Sequence, residues 1–284
     1  MNYAESFQAV IDYIEDHLDA EIDNREMAGL VGYSTYHFQR LFMLLSGVTV
    51  AEYIRNRKLA VAAAELLEGE NKVLDVAVKY GYNSPTAFNR AFKAMHGIAP
   101  SEMKKTGVTI KAFPPVIIKP VVENAAKMDY RIEKLPAFRV VGIKLQTTVE
   151  GGQCYKDAPA FWGQLIANGG PGEILALMNQ QPMGLLGISD YDPERDSSFD
   201  YYIASASDQP VPEGMFEFEV PAAAWAVFPH KNEGPEVIQA YQQRIVMDWL
   251  PSSGYEFAKA PDVELYYDNG EMETWIPITR RSEF

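Results

Sequence analysis

The string Ser34-x-x-x-Phe38-x-Arg40-x-Phe42-x-x-x-x-Gly47 returns fifty positions later as Ser84, Phe88, Arg90, Phe92 and Gly97. A repeat at fixed period marks one supersecondary unit used twice. Each copy follows a short apolar stretch and a Gly-Tyr pair, Gly32-Tyr33 or Gly81-Tyr82. In the first copy Asp23 with Glu26 has the form of a capping box opening a helix through Val31. Gly32 can take the left-handed turn conformation, and Ser34 suits the N-cap of the next helix. There Phe38, Leu41, Phe42 and Leu45 recur at helical spacing as a buried stripe, leaving Thr35, Tyr36, Gln39 and Arg40 outward. In the second copy Phe88 and Phe92 turn inward and Pro85, Thr86, Asn89 and Arg90 outward, with Pro85 at the first helical position, where its missing N–H costs nothing. The unit reads as a helix-turn-helix. The outward residue types are those that meet phosphates and base edges, although Arg40 and Arg90 have a purely structural alternative in pairing with nearby acids.

Thr49 and Glu52 form a second cap ahead of an Ala- and Leu-rich run to Glu68, with Gly69 as C-cap. About twenty helical residues span about 30 Å, close to the roughly 34 Å between successive major-groove faces on one side of B-DNA. The spacing therefore predicts two reading heads on a stiff spacer.

Residues 1 to about 107 resemble the DNA-binding domain of the AraC/XylS transcription regulators. The motif carrying the resemblance runs Ile54-Arg55-Asn56-Arg57-Lys58-Leu59, Val76-Ala77, Gly81-Tyr82, Ser84, Phe88-Asn89-Arg90-Ala91-Phe92 and Gly97-Ile98-Ala99-Pro100-Ser101. The resemblance implies seven helices and two recognition helices in adjacent major grooves. By position it implies DNA contacts from Thr35, Tyr36, Gln39 and Arg40, and from Pro85, Thr86, Asn89 and Arg90. Pro85 and Ala87 are poor donors, so the second head is expected to grip backbone more than bases.

At 284 residues the chain is long enough for two domains. The first residues read as an amphipathic helix with Phe7, Val10, Ile11, Ile14 and Leu18 inward, so no signal peptide is expected. No apolar stretch has bilayer-spanning length, and a single Cys154, read as a buried small hydrophobe, leaves no partner for an intramolecular disulfide. A cytoplasmic protein is expected. The net charge of −14 is uneven: residues 1–107 hold 11 Lys and Arg against 14 Asp and Glu, whereas residues 108–284 hold 14 against 25. The acid lies mostly outside the DNA-binding half, so the second half should favour cationic partners. Between the halves, residues 108–127 carry Pro114, Pro115 and Pro120 and read as an extended linker, in which Val116-Ile117-Ile118 could pack on a domain.

The second half repeats as well, though less clearly. Leu135-Pro136-Ala137 and Val220-Pro221-Ala222 each precede a strand, and each is followed by a helix, near 157–168 or 235–250, and two strands. Strand candidates are 131–134, 138–149, 184–189, 199–206, 215–219, 223–229, 263–268 and 273–278. The expected fold is thus multidomain: an all-α part, then a duplicated strand-helix-strand-strand α+β part with an antiparallel sheet and helices on one face. Residues 128–284 resemble the GyrI-like effector-binding domain through Pro136-Ala137, Trp249-Leu250-Pro251, Gly254-Tyr255, the strand from Asp262 to Tyr267 and Trp275-Ile276-Pro277-Ile278. That resemblance implies a cleft for hydrophobic, often cationic ligands with Glu264 inside it. Glu264 and Tyr266 share a strand face by the period-two rule. Tyr201, Tyr202, Trp225, Tyr255 and Trp275 are further aromatic candidates for cation–π contact, against the alternative that they are ordinary core.

No Gly-x-Ser-x-Gly elbow, phosphate-binding Gly-rich loop or metal-spaced Cys/His cluster occurs, so neither cofactor, metal nor catalytic residue is expected. His17, His37, His96 and His230 are scattered and read as surface or helix-packing residues, His37 being able to touch a phosphate. Asp190, Asp192, Glu194 and Asp196 around Tyr191 and Pro193 read as a solvated acidic turn. Together these features point to a ligand-responsive, multidrug-sensing type of transcription regulator, a non-enzyme whose partners are operator DNA, a small apolar cation and RNA polymerase, with no membrane association. The alternatives are a small-molecule hydrolase using Glu264 and a Tyr, or a protein-interaction module.

Overall fold

A computed structural model describes residues 3–69, 71–105, 107–117, 127–192 and 197–281. Ile118 and Pro120 of the expected linker, and Pro193, Glu194 and Asp196 of the acidic turn, lie outside the described residues. Helices α1 (Tyr3–Asp16), α2 (Asn24–Val31), α3 (Thr35–Ser46), α4 (Val50–Glu68), α5 (Val73–Lys79) and α6 (Pro85–His96) are followed by a 3-10 turn, Pro100–Glu102. The family resemblance implied seven helices; the described residues hold these six and the short turn. The chain forms two compact units, Met1–Thr35 with Val48–Pro120, and Tyr36–Gly47 with Val121–Phe284. The expected division kept residues 1–107 together, whereas here the body of α3 groups with the C-terminal residues.

In the first unit the caps stand largely where the sequence puts them. Asp23 accepts from the Arg25 N–H at 2.8 Å, but Glu26 is taken by the Tyr13 hydroxyl instead of closing a reciprocal box. Gly32 ends α2 at φ 68, where a Cβ would be strained. Thr49 accepts from the Glu52 N–H at 3.2 Å and opens the unbroken 19-residue α4. Ser84 accepts from the Ala87 N–H at 3.4 Å at the head of α6. The α4 helix is tied to α1 by Arg57, whose Nε and Nη2 both reach the Glu15 carboxylate, at 2.8 and 2.6 Å, and by the Tyr53 hydroxyl on the same group at 2.9 Å. Two-pronged Arg–carboxylate pairing fixes direction as well as distance. Arg57 also donates to the Phe113 carbonyl, and the Phe113 ring lies 5.9 Å from Tyr53, so the linker's start is anchored here while Ile117 stays exposed.

In the second unit come β1 (Arg131–Leu135), β2 (Phe138–Thr148), α7 (Cys154–Ala167), α8 (Pro171–Ala176), β3 (Leu185–Asp190), β4 (Ser198–Ala206), β5 (Phe216–Val220), β6 (Ala223–Lys231), α9 (Pro235–Arg244), a π-helical turn Ile245–Trp249, β7 (Tyr255–Phe257), β8 (Asp262–Tyr266) and β9 (Glu271–Arg280). The eight strand candidates all form; α8, β7 and the short helical turns Glu150–Gly152 and Leu250–Ser252 are additions. The helix expected over 235–250 passes into the π turn at Ile245. All pairings are antiparallel, in the order β1-β6-β9-β8-β3-β4-β2-β5, with β7 beside β9. Exchanging the two sequence repeats reverses this order onto itself, so β3 and β8 meet at the middle of the duplicated sheet.

The register sorts the side chains between two faces. Ile188 pairs with Tyr202 and Val263, and Val263 with Trp275. These join Trp225, Leu265 and Val220 in one apolar cluster fed from both ends of the strand order. On the other face Leu185, Tyr201 and Ile203 pack with Leu165 of α7 and Ile174 of α8. Among the described residues no helix is long and apolar enough to cross a membrane.

Candidate functional site

At the middle of the sheet Gly187 stands opposite Glu264, which stands opposite Thr274. Gly187 leaves space that the site uses: a Cβ there would lie 2.5 Å from the Tyr201 hydroxyl and 2.9 Å from Glu264 Oε2, so these groups would have to shift. The missing side chain lets a strand-borne carboxylate lean over its neighbour. Three neutral donors converge on it. The Tyr266 hydroxyl (2.7 Å) and the Tyr201 hydroxyl (3.1 Å) donate to Oε2, and Gln242 Nε2 of α9 donates to Oε1 at 2.6 Å. From α7, Trp162 Nε1 donates to the Tyr201 hydroxyl at 2.8 Å, and the Trp162 ring sits 4.8 Å from that of Tyr266. The carboxylate is thus held between α7 and α9 on the floor of β3 and β8.

Burial pushes the Glu264 carboxyl above the usual carboxylate range, against the downward pull of hydrogen bonds from Tyr266, Tyr201 and Gln242. Burial also raises the Tyr201 and Tyr266 hydroxyls well above the usual phenol range, which keeps them protonated as donors. Its nearest charged neighbour on the strand, Asp262, is of like sign and adds to the rise. Glu264 nevertheless keeps accessible surface, being only half-buried. A pre-oriented carboxylate among aromatic rings, with part of its surface open, can pair with a positive charge and offer it ring faces.

Of the seven residues named for ligand contact, the structure gathers Glu264, Tyr266 and Tyr201. Trp225 and Trp275 are corrected: they lie on the opposite face, in the apolar cluster with Val263 and Tyr202, their rings 6.0 Å apart. Tyr202 stacks there on Phe218 at 4.9 Å. Tyr255 is engaged elsewhere, parallel to Trp249 at 6.3 Å and beneath the Arg280 guanidinium. Sequence reading missed Trp162, Gln242 and Gly187. A helical Trp near a predicted strand pair is the only trace the first leaves, and the other two show only through register. Cys154 is half-buried, not fully, and its burial raises the thiol.

The two DNA-reading candidates differ sharply. On α6, Phe88 and Phe92 are buried and Pro85, Thr86, Asn89 and Arg90 are exposed, as the spacing requires. On α3, Phe38, Leu41 and Phe42 are buried as expected, but so are Tyr36, Gln39 and Arg40, and Thr35 is half-buried. The expected outward face of α3 is therefore corrected. Arg40, 1% exposed, pairs with Asp262, donates from Nε to the Tyr191 hydroxyl at 3.2 Å, and stacks its guanidinium 3.7 Å from the Phe257 ring centre. His37 is equally buried, its Nδ1 accepting from the Phe257 N–H at 3.1 Å, and burial lowers its pKa. It is not placed to touch a phosphate in this arrangement.

The profile of the GyrI-like small molecule binding domain matches residues 128–279, and that of a helix-turn-helix domain matches residues 27–106. The chain belongs to the GyrI-like family, with an AraC-type helix-turn-helix domain ahead of it. The HTH-type transcriptional regulator YbfP of Bacillus subtilis is 40% identical over 100 residues, 35% of this chain and 34% of that protein. The regulatory protein SoxS of Salmonella typhimurium is 34% identical over 104 residues, 37% of this chain and 97% of its own. The chain thus spans about a third of YbfP and nearly all of SoxS. The solved structure of SAV2435 bound to tetraphenylphosphonium aligns over 54% of this chain and 94% of its own, at 21% identity and a TM-score of 0.49.

Proposed function

We infer that the chain is a DNA-binding transcription regulator whose GyrI-like domain senses an apolar cation. The observation that carries the ligand class is Glu264, a carboxylate oriented by three neutral donors and walled by Trp162, Tyr201 and Tyr266. A cation offers the charge that these donors do not, and each ring it covers adds about 0.5–2 kcal/mol. The DNA contacts are assigned to Pro85, Thr86, Asn89 and Arg90 of α6, which are exposed, and to Thr35, Tyr36, Gln39 and Arg40 of α3 when that face is free. Contact with RNA polymerase and a cytoplasmic setting belong to the same reading.

The test is equilibrium titration of wild type and Glu264→Gln with tetraphenylphosphonium and with neutral triphenylphosphine oxide. Gln keeps the shape and loses the charge. The cation should lose about 1.5–3 kcal/mol, roughly ten- to hundred-fold in Kd, while the neutral compound is little changed. Equal binding of both compounds by both proteins would remove Glu264 from the ligand site. Hydrolysis by Glu264 with Tyr201 or Tyr266 is the competing reading; in it Gln abolishes turnover of an ester substrate and leaves affinity intact.

A further inference from the structure

The same sequence motif occurs twice, and only one copy presents its polar face. In α6 that face is exposed, whereas residues Tyr36 to Met43 of α3 are buried without a break. Within the second unit two contacts seat this stretch. Arg40 reaches Asp262 on β8, and the Tyr191 hydroxyl accepts from Arg40 and donates to the other Asp262 oxygen at 3.0 Å, closing a ring of three groups. Met43 packs in the cluster that contains Tyr201, Phe199 and Leu185, with Trp162 and Tyr266 at its margin.

Both contacts lead to the ligand site. Asp262 and Glu264 are two residues apart on β8 and so share a face. Tyr201, a member of the same buried cluster as Met43, is a hydrogen-bond donor to Glu264. A guanidinium locked on Asp262 and Phe257 is unavailable to a guanine edge, since bidentate base readout needs the same N–H groups.

We propose that α3 is held on the GyrI-like domain by Arg40 and Met43 in a DNA-refractory state, and that an apolar cation binding at Glu264 releases it. The latch is Arg40–Asp262–Tyr191, and the link to the ligand is Tyr201, which donates to Glu264 and shares its buried cluster with Met43. Breaking a buried charge pair on one side leaves the other charge unpaired, which favours departure of the helix. The inference rests on the reading of α3 as a DNA-contacting helix.

The experiment uses the full chain and a duplex enriched by that chain from a random-sequence library. Asp262→Asn removes the latch charge; Tyr191→Phe keeps the ring and removes both hydrogen bonds, and guards against a folding defect in the first variant. Each should bind the duplex tighter than wild type by a factor in the usual coupling range, about 5- to 150-fold, with faster amide exchange over residues 36–47. Tetraphenylphosphonium should speed the same amides in wild type. Unchanged affinity in both variants overturns the latch. If Arg40→Ala still weakens duplex binding in that case, α3 reads DNA without being restrained; if it does not, the reading of α3 as a DNA helix fails too.

Discussion

Gly187 and Glu264 show how much of a site can rest on an absent methyl group. A Cβ at Gly187 would sit against Tyr201 and Glu264 at distances real side chains do not adopt. Gly187→Ala should therefore displace both groups, costing about 1–3 kcal/mol of stability as overpacking does and abolishing cation binding. Calorimetric melting and ligand titration on the same sample read the two effects. The acid itself sets a pH signature. Because burial raises the Glu264 carboxyl, it takes up its proton at higher pH than an exposed Glu, and the protonated form has no charge to offer. Cation affinity should accordingly decline on acidification before ordinary carboxylates titrate, while affinity for a neutral analogue stays flat. A decline only within the ordinary carboxylate range would deny the burial that the site depends on.

At the scale of elements, α3 and α6 set the limits of sequence reading. Their stripes, Phe38 with Phe42 and Phe88 with Phe92, were legible because helical period fixes which residues face inward, and the caps at Asp23, Thr49 and Ser84 were legible because each acts within a few residues. The burial of Arg40 was not legible, since Asp262 and Tyr191 lie 222 and 151 residues away. The same holds for the aromatic candidates. Period two put Glu264 with Tyr266, but only the register Val263↔Trp275 shows that Trp275 faces the other way. For α6, which is exposed, Arg90→Ala should weaken duplex binding across sequences and reduce the salt slope by about one, the pattern of a lost phosphate contact. A change in sequence preference with an unaltered slope would instead assign Arg90 to a base edge.

For the whole molecule, fold class and duplicated topology were readable from patterning, whereas the grouping of Tyr36–Gly47 with the C-terminal residues was not. Three histidines, His37, His96 and His230, have pKa values lowered first of all by burial. The unfolded chain then binds more protons than the folded one, so this contribution is present above about pH 6.5 and is lost as pH falls below it. Thermal melting should drop between pH 7.5 and 5.5, and a flat profile would mean these histidines charge freely in the fold. A cation at Glu264 should alter DNA binding by the whole chain. The most direct measurement is the Kd of the full chain for its selected duplex with and without saturating tetraphenylphosphonium, in wild type and in Glu264→Gln. The account predicts that the cation tightens binding about 5- to 150-fold in wild type and leaves the variant unchanged; a wild-type Kd indifferent to bound cation would contradict it.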